Sequence, residues 1–107
     1  MPFIIRLLKA DITNAGSVTN LYTVSAPALA TIVSNVRFVN TSGGSATVNL
    51  FFKPSGGSQI RILDKDKSVT NGDILVVKPE LTIAVGDAIE VTTSATMEYV
   101  VSGVEKQ

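Results

Sequence analysis

The sequence contains no cysteine, no histidine and no tryptophan. Without cysteine there is neither a disulfide framework nor thiol chemistry. Without histidine the common proton relays and nucleophilic triads lack their usual base. Zinc sites draw on Cys and His in sets, so the residues that build them are missing too. Charge is scarce: Asp, Glu, Lys and Arg make up 17% of the 107 residues, against roughly 25% in ordinary soluble domains. Nine basic residues balance nine acidic ones, giving zero net charge and a pI near 6.1. This argues against an electrostatic nucleic-acid binder, which carries a basic stripe. No run approaches the ~20 apolar residues that span a bilayer as a helix. The start, Met1 to Lys9, is apolar, but Arg6 interrupts it and no small-residue cleavage site follows. It therefore does not read as a signal peptide, and synthesis in a cytoplasm is expected.

Apolar residues are plentiful, at 45% of the chain with a mean hydropathy of +0.34. A small domain with so little charge is expected to hide part of its surface against neighbours. Residues 1–107 are expected to form one domain.

The clearest pattern lies between Ala30 and Phe52. In extended chain, Ile32, Ser34, Val36, Phe38 and Asn40 share one side. After Asn40-Thr41-Ser42-Gly43-Gly44-Ser45, Val48, Leu50 and Phe52 alternate with Thr47 and Asn49. The spacing predicts a long antiparallel hairpin with an apolar face of Val36, Phe38, Val48, Leu50 and Phe52. Further strands are expected at Thr19–Val24, closed by Pro27, and at Gln59–Leu63, Asp73–Lys78, Leu81–Val85, Ala88–Thr93 and Thr96–Val104. Asn71-Gly72 is the strongest short turn signal. The paired Ser-Gly-Gly-Ser segments at 42–45 and 55–58 predict two loops at one end of the sheets. Phe3 to Ala10 fits a strand or an extended arm. No helix has start and stop signals. Eight or nine strands at a spacing of about ten residues predict an all-β fold, an antiparallel β-sandwich of jelly-roll type.

Candidate chemistry is thin. The acids Asp64, Asp66, Asp73, Glu80, Asp87, Glu90 and Glu98 supply carboxylates of the kind that run glycoside hydrolysis. Most fall in predicted turns, where Asp and Glu cap backbone and face water. Asp64-Lys65-Asp66-Lys67-Ser68 begins like a calcium loop. However, Val69 and Leu75 stand where an EF-hand needs Gly and Glu. Asn40-Thr41-Ser42 is a formal glycosylation sequon. No cofactor or metal is expected. Phe51 is out of phase with the apolar face, so it is expected on a contact surface or under a neighbour.

Leu21-Tyr22-Thr23-Val24, Ile32 through Ser42, and Val48-Asn49-Leu50-Phe51 resemble the small β-sandwich virion proteins of tailed bacteriophages. The run Leu81 to Val91, with Gly86-Asp87 before a strand, and the closing Val101-Ser102-Gly103-Val104-Glu105 continue the likeness. One departure is the proline, which the family often places directly after Leu-Tyr-Thr-Val and which here is Pro27. The resemblance implies a non-enzymatic particle component in the virion. Its expected role is a decoration or cement protein binding between major capsid subunits as a homo-oligomer, without nucleic acid or membrane. A neck or tail accessory protein and a carbohydrate-binding sandwich are the alternatives. The expected interface residues are Phe3, Ile4, Ile5, Leu7 and Leu8 of a docking arm within residues 1–10, together with Phe51.

Overall fold

The computed structural model describes residues 3–26 and 28–107, with the side chains of residues 3–6 outside that set. Pro27, expected to close the second strand, lies outside the described residues. Ten strands form: β1 (Phe3–Ile12), β2 (Val18–Thr23), β3 (Ala30–Val39), β4 (Ala46–Lys53), β5 (Ile60–Arg61), β6 (Lys67–Val69), β7 (Ile74–Val77), β8 (Leu81–Ala84), β9 (Ala88–Thr93) and β10 (Glu98–Lys106). One sheet runs β1-β10-β3 and ends on β7 and β8, which share the outer edge of β3. The other runs β2-β9-β4 and ends on β5 and β6, which share the edge of β4. The ten segments therefore occupy four lanes in each sheet, the order of a jelly roll.

The break between β7 and β8 has a local cause. Between β7 and β8 stand Pro79, which has no N–H to give the ladder, and Glu80, at φ 52°. Opposite this break β3 bulges: Asn35 and Val33 pair with Ser102 and Gly103, and Ser34 is left over. The bulge reverses the phase of the strand. Val33, not Ile32, joins Val36 and Phe38 in the core, and Ile32 faces out. Strict alternation assigns Ile32 to the wrong side for this reason. A second bulge, at Leu21, lets both Leu21 and Tyr22 turn inward.

The expected hairpin does not form. β3 and β4 lie in different sheets, and residues 40–45 carry the chain from one layer to the other. The apolar face is nonetheless as expected: Val36, Phe38, Val48 and Leu50 are fully buried and Phe52 packs against the core. The four meet across the gap between the layers and not within one sheet. The crossing is fixed by Asn40, whose side chain is 0% exposed. Its Nδ2 donates to the carbonyls of Gly44 (2.8 Å) and Val69 (2.9 Å). Its Oδ1 accepts from the Ser42 amide (3.0 Å) and hydroxyl (2.7 Å). A buried amide with all these bonds met is favourable where an unmet one is not. The sequon asparagine is therefore a structural strut.

Register places the loops at 13–17, 40–45, 70–73 and 94–97 at one end of the sandwich, because Ile12, Val39, Ile74 and Glu98 line up there. Residues 55–58 lie beyond the far end of β4, so the two Ser-Gly-Gly-Ser loops sit at opposite ends, contrary to expectation. Asn71-Gly72 does turn, with Gly72 at φ 81° and the Asp73 amide donating to the Thr70 carbonyl, but it joins strands of different sheets. At the far end the Asp87 carboxylate accepts from the Ser55 and Ala84 amides. The Tyr22 hydroxyl of one sheet reaches Glu105 and Thr31 of the other.

Two substitutions test this frame. A Cβ on Gly103 would lie 2.1 Å from the Ile32 carbonyl oxygen, backbone that cannot step aside cheaply. Gly103→Ala should lower unfolding free energy by roughly 1–3 kcal/mol or more. Asn40→Ala strands the buried carbonyl of Val69 and should cost roughly 2–4 kcal/mol. Urea denaturation of each variant against the parent reads both.

Candidate functional site

In an antiparallel sheet, residues directly opposite one another share a face. On the outer face of the β1-β10-β3 sheet this builds rows. Ile74, Val39, Glu98 and Ile12 form one. Val76, Arg37, Val100 and Ala10 form the next. Farther along, Thr82, Ile32 and Val104 make a third, and Leu7 stands beside Ser102. Exposure of the large apolar side chains on this face runs from 41% at Ile32 to 57% at Leu7, with Ile12, Ile74 and Val76 between. Val39, Val100 and Val104 are half-buried among them. A shallow hollow opens between Arg37, Val39, Glu98, Tyr99 and Val100. Arg37 and Glu98 are exposed, and among the described residues neither side chain has an ion-pair or hydrogen-bond partner.

The other outer face has a different character. Asn49 Oδ1 accepts from Arg61 Nη1 (2.7 Å) and the Asp66 amide (2.9 Å), while its Nδ2 donates to Asp66 Oδ1 (2.9 Å). Gln59 donates to Glu90 across 2.7 Å. Arg61 lies over the Phe51 ring at 5.1 Å, leaving Phe51 9% exposed. This sheet covers most of its outer face with interacting polar groups, with Val18 the exposed exception; the first sheet leaves five large aliphatic side chains exposed on its own.

The expected interface residues scatter. Leu7 is on the apolar face, whereas Leu8, at a bulge in β1, packs against the core. Phe51 belongs to the opposite face and is covered by its own chain. Phe3, Ile4 and Ile5 stand opposite Lys106, Glu105 and Val104 on β10. Their side chains lie outside the described residues. The expected arm is thus a strand paired along its length. Ile12, Ile32, Ile74 and Val76 were not singled out by sequence. The available signal was Ile74-Leu75-Val76-Val77, an unbroken apolar run where a one-sided strand would alternate.

The candidate carboxylates do not converge. Asp66 serves Asn49, Asp87 caps two loops and Glu90 serves Gln59. Among the described residues no group of three or more acids is placed to hold a metal ion. No described helix is long and apolar enough to cross a membrane.

No family model matches the chain, and no curated protein matches it. Solved structures do. PirA is 14% identical, with a TM-score of 0.54 over 89% of this chain and 91% of that one. The T13 viral particle of infectious bursal disease virus matches at 12% identity and TM-score 0.55 over 97% of this chain and 30% of that chain. The VP2 subviral particle of the same virus matches at 14% and 0.52, over 97% and 32%. The chain thus spans about a third of those viral chains. At such identities the likeness shows the fold: a two-sheet β-sandwich shared with viral particle proteins and with PirA.

Burial, and then the charge of Asp11, hold the Tyr99 hydroxyl above its ordinary value of 10.0. The folded state prefers the neutral phenol, so its contribution is whole below pH 10 and is lost as pH rises through the folded value. Urea midpoints measured from pH 8 to 11.5 should fall above pH 10, and Tyr99→Phe should flatten that fall.

Proposed function

We propose that this chain is a structural subunit of a virion, acting by burial and not by catalysis. The outer face of the β1-β10-β3 sheet is the surface buried in the assembly. The observation that carries this reading is the run of exposed aliphatic side chains on that face, Leu7, Ile12, Ile32, Ile74 and Val76, beside an opposite face that is mostly polar and exposes only Val18 among its described large apolar side chains. The fold shared with viral particle proteins and the resemblance to small phage virion proteins support the same reading. The finer placement we propose is head decoration, with the chain lodged between major capsid subunits. A neck or tail position would use the same burial.

Magnitudes shape the mechanism. Completing the burial of five half-exposed aliphatic side chains contributes roughly 4–8 kcal/mol. Association itself costs about 4–15 kcal/mol. One face alone is therefore marginal, and a partner that presents a matching apolar surface roughly doubles the gain. A sugar-binding module would instead display an exposed aromatic platform. The five aromatic side chains among the described residues are buried or half-buried, which disfavours that role.

Particles purified from the cells that make this chain, probed with an antibody against it, test the reading. The parent should sediment with particles. Val76→Lys should keep the parent circular dichroism spectrum yet fall at least tenfold in particle content. Normal incorporation of the variant, or a parent found only free of particles, would overturn the proposal.

A further inference from the structure

The partner that buries the apolar face has to be apolar over the same footprint and has to answer two unpaired charges. The face itself meets both conditions. Arg37 pairs with Val100 across the β3–β10 ladder, and Glu98 lies two residues before Val100. A cation and an anion therefore sit on neighbouring rows, flanked on both sides by aliphatic side chains. Neither is neutralised within its own chain among the described residues.

We propose that a second copy of this chain covers the face, related by a two-fold axis lying in the plane of the interface. Such an axis, passing midway between the two charges and perpendicular to the line that joins them, sets Arg37 of each copy over Glu98 of the other. An isologous interface must be complementary to itself, and one plus beside one minus is the simplest pattern that is. The aliphatic rows then meet as the facing sides of the two sheets in one sandwich do. The footprint is adequate. The molecule measures 45 × 27 × 19 Å, and its broad side exceeds the ~800 Å² per partner of a standard interface. A heterologous partner with the opposite charge arrangement is the competing occupant. This inference rests on the reading that the face is buried in the assembly, and it names the occupant.

Charge swaps test it directly in the full chain. Sedimentation equilibrium of the parent should give twice the 11.2 kDa chain mass. Arg37→Glu sets two carboxylates against each other on each side of the axis. Glu98→Arg does the same with two cations. Each should raise the dimer dissociation constant by about tenfold or more, because like charges face each other. Mixing the two single variants should form a heterodimer, since the two carboxylates of one variant then face the two guanidinium groups of the other. The double variant R37E/E98R should restore the parent dimer. Both positions are exposed, and circular dichroism of each variant confirms that it is folded before mixing. Should a variant fail that check, concentration-dependent amide shifts of the parent decide the matter, because they must map to Ile32, Val76 and Val100.

A parent that stays monomeric at about 1 mM overturns the inference, as does a mixture of folded single variants that does not associate. If the parent is monomeric while Val76→Lys is still excluded from particles, the occupant is another virion protein and the proposed function stands. If the parent dimerises through this face but is absent from particles, the inference stands and the virion role falls.

Discussion

A two-layer sandwich can bury one face of each of its sheets, and this chain carries three apolar faces. Two of them close on each other. Val36, Phe38 and Val101 of one layer and Val48, Leu50 and Val91 of the other are all fully buried. The third, the outer side of the β1-β10-β3 sheet, has no layer to cover it. Sheets buried on both sides read as continuous apolar runs, whereas sheets with one wet side alternate. Ile74-Leu75-Val76-Val77 and Val100-Val101 have the former character, and Asn49 and Thr92, on the other sheet, have the latter. The composition points the same way. A chain this poor in charge has few charged groups for two outer faces, and those paired with one another, Arg61, Asp66 and Glu90 with Asn49 and Gln59, lie on the β2-β9-β4 side.

The two-layer arrangement holds because the crossings between layers are tied by buried polar groups. Asn40 locks the passage from β3 to β4 and binds it to β6 through the Val69 carbonyl. Thr13 and Thr93 share a hydrogen bond of 2.8 Å at the same end. Asp87 and Gly86 do the corresponding work at the other end, where Gly86 takes φ 92° and the carboxylate gathers two amides. These ties fix which face of each strand looks inward. A one-residue slip would exchange inner and outer faces, so the outward set of Ile32, Ile74 and Val76 depends on them.

Much of this was legible from the residues. Period-two spacing identified most of the strands, though not β6, and the buried side of β4 and of β3 beyond its bulge, because burial is what alternation encodes. Pairing was less legible. Gly43-Gly44 looks like a hairpin loop, and nothing local distinguishes a turn within a sheet from a crossing between sheets. That distinction lies in long-range contacts such as Asn40 to Val69. Bulges were invisible for a related reason: the extra residue at Ser34 is defined only against Ser102 and Gly103 of β10. The docking surface was sought in Phe3 to Leu8, where apolar residues are consecutive. The exposed apolar face proposed for docking draws instead on four lanes, and of the candidates whose side chains are described Leu7 lies on it. Phe51 was expected on a contact surface or under a neighbour. The neighbour is Arg61, ten residues on, whose position depends on the short pairing of β5 with β4.

The central claim is that the outer face of the β1-β10-β3 sheet is solvent-free in the working assembly. Residue-resolved hydroxyl-radical footprinting, comparing the chain in purified particles with the free chain, measures this most directly. Ile32, Ile74 and Val76 should lose most of their reactivity in the particle. Equal reactivity of these three side chains in the two states would contradict the account.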